Sequence, residues 1–218
     1  MTALVDAVNI GSVKKRTYHH GDLRNALVEA AFELAREGGP DAVVLREASR
    51  RVGVSHNAAY RHFADRRDLL REASARSMSE LARLIERRVA SAARGRSGAD
   101  AERERLRASG RAYVDFALAE PGLFRTAFAS GRARDALAPG EGTGETGLTP
   151  FELLNERLDA FEAAGGFPPK RRERAEYAAW ASVHGLATLL TDGPLSGTPP
   201  AERKRLIERV LDNVERGL

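Results

Sequence analysis

An all-α fold is predicted by three observations. Apolar residues recur three and four apart in about nine separate segments, as a helix with one buried face requires. Glycines, prolines and capping residues punctuate those segments. No stretch sustains the period-two alternation of β-branched residues that a half-buried strand shows.

The first helix is predicted over Asp22–Glu37, with Leu23, Ala26, Leu27, Ala30 and Leu34 inward, and Gly38-Gly39-Pro40 ends it. LREASRRV (Leu45–Val52) reads as a short second helix burying Leu45, Ala48 and Val52. The residues before it, Val43-Val44, supply no capping side chain, an omission that costs about 1 kcal/mol. Gly53 suits the left-handed conformation that ends this helix, and Ser55 is a good N-cap for the next, read from His56 to Phe63. A helix, a Gly-Val-Ser turn and a second helix form the helix-turn-helix pattern. Three such helices can enclose one small core.

The third segment, GVSHNAAYRHF (Gly53–Phe63), contains no acid. At 100° per residue Ala59 and Phe63 face inward, while Arg61 faces outward with Asn57 beside it and Tyr60 and His62 on its flanks. The short Ala58 lets the backbone approach a partner closely. Arginine reads guanine edges bidentately, asparagine reads adenine, and tyrosine and histidine reach phosphates on the groove walls. These residue types suit a helix lying in a DNA major groove. A solvated helix remains the alternative on this pattern alone, because helix–glycine–helix pairs occur in many unrelated folds.

Beyond Arg67 the chain stays helical. Asp65 caps a long fourth helix (about Arg66 to Arg94) with Met78, Leu81, Ile85, Val89 and Ala92 in one stripe. A fifth helix, about Ala101–Ala119, places Leu106, Tyr113, Phe116 and Ala117 inward. After Glu120-Pro121-Gly122 comes a short apolar helix with Leu123, Phe124, Ala127 and Phe128. Ser130–Gly147, rich in glycine and charge, reads as a mobile loop; lacking a Lys-Ser/Thr ending and a flanking strand, it is no phosphate-binding loop. Thr149-Pro150-Phe151-Glu152 is a well-formed start for a seventh helix carrying Phe151, Leu154, Leu158 and Phe161. An eighth runs over about Lys170–Leu190, apolar on more than one side, and a ninth opens at Thr198-Pro199-Pro200 with Leu206, Ile207, Val210, Leu211 and Val214.

Tyr18 to Ala73, YHHGDLRNALVEAAFELAREGGPDAVVLREASRRVGVSHNAAYRHFADRRDLLREA, resembles the DNA-binding domain of TetR-type transcriptional repressors, most specifically in GVSHNAAYRHFADRRDLL. The resemblance implies DNA contacts from Arg46, Ser55, His56, Asn57, Ala58, Tyr60, Arg61 and His62, with Arg66 at a basic, phosphate-contacting position. It also implies a homodimer packed through the last two helices, whose apolar surface is wide enough for a four-helix bundle across a two-fold axis. YAAWASVHGLATL (Tyr177–Leu189) resembles a C-terminal domain type of the same family, marked by a Trp, a His and a Gly at this spacing. The second half gathers most of the phenylalanines and the only tryptophan. Tyr113, Phe116, Phe124, Phe128, Trp180 and His184 are therefore the candidate ligand-binding residues, between helices where bundles hold ligands. Trp180 and His184 share a helix face, and His184 either bonds an effector, senses pH or is a core histidine satisfied by a carbonyl.

Composition bounds the remaining classes. The chain has 218 residues and no cysteine, which excludes disulfides and thiolate metal sites and is compatible with a reducing cytoplasm. The opening MTALVDAVNIGSVKKR lacks the apolar run of a secretory signal, and no stretch approaches 18 consecutive apolar residues. Lys14 to Arg67 carries eleven Lys and Arg against seven Asp and Glu, matching the whole-chain net charge of +4. That weakly positive field favours a polyanion. Lys14-Lys15-Arg16 reads either as an arm on DNA or as a solvated terminus. Neither His19-His20 nor His56 with His62 has metal-ligand spacing. An enzyme would need a nucleophile with its base, paired carboxylates or a metal cluster, and none is spaced for it.

The expectation is an all-α protein of about nine helices. A flexible basic arm (1–17) precedes a three-helix helix-turn-helix domain (18–70), and a helical bundle (71–218) binds an effector and dimerises. Its expected role is that of a ligand-responsive homodimeric repressor of the cytoplasm, released from a palindromic double-stranded operator by an unidentified small molecule. No cofactor, metal or membrane is expected. The alternatives are a non-specific or architectural DNA-binding protein, which predicts a higher net charge and no large apolar half, and a helical small-molecule-binding protein with enzymatic activity.

Overall fold

The structure, a computed structural model, describes residues 20–129 and 140–218. Lys14-Lys15-Arg16, His19 and the first part of the predicted mobile loop lie outside the described residues. Among those described, nine α-helices and two short 3-10 turns account for the regular structure, and no strand occurs.

Helix α1 (His20–Gly38) buries Leu27, Ala30 and Leu34, as its periodicity requires, but also Ala31, Phe32 and Ala35 on a second side. α2 (Leu45–Val52) starts at Val44 with no side-chain cap and closes on Gly53, whose φ of 76° is left-handed. α3 is a single α-helical turn, His56–Ala59, capped by the Ser55 hydroxyl accepting from the Ala58 amide at 3.3 Å. The predicted helix through Phe63 is thus shorter. His62 and Phe63 both donate to the Ala59 carbonyl, and the chain then turns because the Asp68 carboxylate accepts from the Ala64 amide and Asp65 caps α4. Inward Ala59 and Phe63 nevertheless seal the core with Leu27, Val43, Leu45, Ala48 and Leu69.

α4 (Arg66–Ala92), 27 residues and about 40 Å long, joins this head to the rest of the molecule. α5 (Gly98–Ala119) packs along it, and α6 (Pro121–Ala127) bridges α4 and α1. The bridge is close. A Cβ at Gly122 would sit 2.3 Å from the Ala35 carbonyl oxygen, and the Ser74 hydroxyl of α4 donates to the Thr126 carbonyl at 2.8 Å. Arg36 of α1 pairs with Glu120 at 3.2 Å. The small head and the larger half therefore share one continuous apolar core.

α7 (Pro150–Ala163) opens with the predicted capping box between Thr149 and Glu152. α8 covers Ala175–Thr191 rather than starting near Lys170. A 3-10 turn at Pro169–Arg171 and a left-handed Arg174 (φ 59°) intervene, while Arg172 is held by Asp159, Glu176 and Asn155. α9 (Pro200–Gly217) packs on α8 and is clamped to α5 by Arg107 and Arg111, which bond Glu208, Asp212 and Glu215. Residues 140–147, expected within a mobile loop, are instead tied to α4. The Glu86 carboxylate accepts from the Glu145 and Thr146 amides at 2.8 and 2.9 Å, and Arg71 bonds Glu141.

Candidate nucleic-acid interface and interior cavity

The helix-turn-helix surface is built around the Gly53 turn. Its left-handed backbone lets Val54 donate to the Ser49 carbonyl and swings α3 outward from α2. Arg46, Ser55, His56, Asn57, Tyr60 and Arg61 are exposed; Ala58 and His62 are half-buried. The His56 and Tyr60 rings meet edge-on at 4.7 Å, which holds the 50% exposed Tyr60 upright on the surface. Arg50 and Arg51 are paired with Glu47 and Glu37, whereas Arg46, Arg61 and the neighbouring Arg67 form no ion pair among the described residues. Those three cations retain their charge for a polyanion.

Arg66 has another task. Its Nε donates to the Val43 carbonyl at 2.8 Å and one Nη to the Pro40 carbonyl at 2.6 Å. These bonds strap the start of α4 to the loop between α1 and α2, so the predicted phosphate contact falls on a side chain already committed to the fold.

In the larger half, α4, α5, α7, α8 and α9 enclose a cavity of about 810 Å³ with residues 140–149 along one wall. Of the six candidate ligand residues, Tyr113, Phe128 and Trp180 line it. Phe124 and His184 do not, but they join the same ring cluster: Phe128 meets His184 at 4.8 Å and Phe124 at 5.3 Å. Phe116 belongs to neither group and packs in the core, 4% exposed. Wall residues that periodicity did not single out as ligand-facing include Met78, Leu106, Gly110, Phe151, Leu154 and Leu211. They carry helical core spacing, and nothing in a sequence separates a core position from a cavity wall.

On the α5–α8 side of the cavity the Tyr113 hydroxyl is shared between two side chains. Trp180 Nε1 donates to it at 3.2 Å, and His184 Nδ1 lies 2.8 Å away. Burial pushes the Tyr113 phenol upward and the His184 imidazole below its ordinary value, so both are neutral at pH 7. His184 is satisfied by a phenol rather than by a carbonyl.

No group of three His, Cys, Asp or Glu side chains capable of holding a metal occurs among the described residues, and no helix among them is long and apolar enough to cross a membrane.

Two short helices joined by a glycine turn in a three-helix head, carried by a long helix into a helical bundle with an interior cavity, define a helix-turn-helix regulator. Residues 27–73 match the family model for bacterial regulatory proteins of the tetR family, and residues 106–214 match a tetracyclin repressor-like C-terminal domain. A Rhodococcus sp. RHA1 protein of unknown function is 33% identical, with a TM-score of 0.72 over 94% of this chain and 99% of its own. A putative tetR family transcription regulator from Shewanella sp. PV-4 shares the fold at 17% identity and TM-score 0.59, covering 88% of this chain and 97% of that one. So does a TetR variant from Acinetobacter baumannii AYE in complex with minocycline, at 21% and 0.56, over 88% and 94%. No curated protein matches. The chain belongs to the TetR family and is a DNA-binding transcription regulator.

Proposed function

We propose that this regulator is a ligand-responsive homodimeric repressor. The observation that carries the reading is the cavity of about 810 Å³ walled by α4, the same helix whose first turn supports the DNA-binding head. Its size lies within the range of small-molecule sites. Arg61 and Asn57 read base edges in the major groove, Arg46 reaches from α2, Ser55, His56, Ala58, Tyr60 and His62 position the head along the backbone, and Arg66 holds the start of α4 in place for them.

The dimer forms through α8 and α9. Tyr177, Ala178, Ala181, Ser182, Gly185, Thr188 and Leu189 form an exposed face of α8 without a single charge, and half-buried Leu206 and Val210 lie on α9. Two heads related by that two-fold axis would meet a palindromic operator one helical turn apart or somewhat more. An effector in the cavity favours a dimer with mis-spaced heads, and emptying the operator takes a preference of several kcal/mol for that geometry. The division between head and effector domain falls near residue 70, within α4. Function without catalysis, in the cytoplasm, completes the reading.

The test is to capture fragmented genomic DNA on the purified protein at moderate salt and sequence what is retained. A recovered palindrome supports a site-specific dimer and supplies an operator for effector assays. Uniform recovery without a motif would point to non-specific binding and overturn the repressor reading.

A further inference from the structure

We infer that the cavity selects a neutral, ring-bearing apolar molecule with a hydrogen-bonding atom placed to meet Tyr113, and rejects ionised molecules of the same size. The inference rests on the reading of the cavity as the effector site and names its ligand class.

The wall decides the apolar part. Met78, Ile85, Leu106, Phe128, Phe151 and Leu211 face the space from five directions, and Trp180 adds a further ring. Phe151 and Trp180 meet edge-on at 5.6 Å and Phe128 lies 6.4 Å from Trp180. Such walls favour rings, which gain from stacked and edge-on contacts beyond their buried area.

Ser109, Thr143, Thr149 and Asn155 also line the space, but the buried polar group among its rings is Tyr113, which is 5% exposed. A phenol offers one proton and two lone pairs. Trp180 occupies one lone pair, and His184 takes either the proton or the second lone pair, depending on its tautomer. In both cases one bonding position is left for a ligand atom.

Charge selectivity follows from the lining, where each charged residue among the described ones has an ion pair or a hydrogen bond, with only the Arg103 Nε left without a hydrogen bond of its own. Arg107 bonds Glu208, Asp212 and Glu215, and Arg103 pairs with Asp100 and Glu215. Glu141 is held by Arg71, Glu152 by Thr149, Glu156 by Arg157 and Asp159 by Arg172. An ionised ligand must break one of these pairs or enter without a counter-charge, and either course carries a desolvation penalty that the walls do not repay.

The test uses a matched pair of probes on the full chain: N-phenyl-1-naphthylamine, which is neutral, and 8-anilinonaphthalene-1-sulfonate, which has the same rings plus one sulfonate. Binding is read from probe emission and from quenching of Trp180, the only tryptophan. The neutral probe is expected to bind about tenfold tighter or more, Leu154→Trp to weaken it by about tenfold by filling the cavity, and Tyr113→Phe, which preserves shape, to weaken it about three- to tenfold. If the sulfonate binds as tightly as the neutral probe and both are lost in Leu154→Trp, the ligand class is overturned while the cavity stands as a binding site. If the neutral probe fails to bind, or binds the wild type, Leu154→Trp and Tyr113→Phe alike, the effector-site reading falls and the ligand class falls with it.

Discussion

Arg71 of α4 grips Glu141 through both carboxylate oxygens, at 3.1 and 2.9 Å, across 70 positions of sequence. The same guanidinium bonds Glu72 at 2.7 Å, Glu72 accepts from Arg24 of α1 at 2.8 Å, and Arg24 sits 5.3 Å over the Phe63 ring. Glu141 is on the cavity wall, and Phe63 is buried in the head, its amide donating to the Ala59 carbonyl of α3. A line of alternating charges therefore runs from the cavity to the back of the head.

That line predicts a separation of coupling from binding. Glu141→Gln should change DNA affinity of the unliganded protein by less than about threefold, because the exposed surface is untouched. The drop in affinity caused by a bound ligand should shrink by about 1 kcal/mol, several-fold in the ratio of affinities. DNA titrations with and without the neutral naphthylamine probe, for wild type, Glu141→Gln, Arg71→Ala and the double variant, measure it. Equal responses in all four would remove this line from the mechanism.

Arg61 and Arg66 should part company under mutation. Arg61 is exposed and forms no ion pair among the described residues, so Arg61→Ala should leave the melting temperature unchanged, cost about 1–3 kcal/mol in specific DNA affinity and relax sequence preference. Arg66 straps two backbone carbonyls. Arg66→Ala should cost about 1–2 kcal/mol of stability and weaken DNA binding on all sequences alike. Thermal melts beside binding to specific and random duplexes separate the two roles.

Local signals are legible in the sequence where the physics is local. Ser55, Asp65 and Thr149 cap the helices they were expected to cap, and α2 starts uncapped. Apolar spacing placed Leu27, Ala48, Phe63, Leu81 and Leu158 inside. Periodicity says which face is buried, not what covers it. Phe116 and Tyr113 are both inward on α5, yet only Tyr113 meets the cavity. Phe32 is buried with the Arg76 guanidinium of α4 4.5 Å over its ring, a contact with no local trace. The Arg71–Glu141 pair and the Glu86 clasp on residues 145–146 are invisible for the same reason, which is why a stretch rich in glycine and charge reads as loose.

At Gly53, in the turn between α2 and α3, backbone geometry alone sets the outcome. Nothing lies within 4 Å of a Cβ built there, so space is no obstacle; the left-handed φ of 76° is. Gly53→Ala should cost about 1–2 kcal/mol, measured by urea unfolding. Adding a methyl group to the turn should also reduce DNA affinity by tilting α3, and an unaltered protein would mean the turn tolerates a side chain.

The clamp between α5 and α9 predicts an acid-sensitive fold. Hydrogen bonds from Arg111, reinforced by Arg107 against the opposing effect of burial, hold the Glu208 carboxyl at about 2, below its ordinary 4.5. A carboxyl depressed on folding stabilises wherever the unfolded chain is also ionised, which is above about 4.5, and that contribution is lost as pH falls toward 2. Glu208→Gln should therefore be less stable than wild type by about 1–2 kcal/mol at pH 7, after allowance for partial solvent screening. The gap should stay constant down to about pH 5 and then close on further acidification, as the wild-type carboxylate takes up its proton. Other carboxylates titrate in both proteins alike, so the difference between the two urea-unfolding curves isolates Glu208. A gap that persists unchanged at pH 3 would show that its two arginines act on packing and not on its charge.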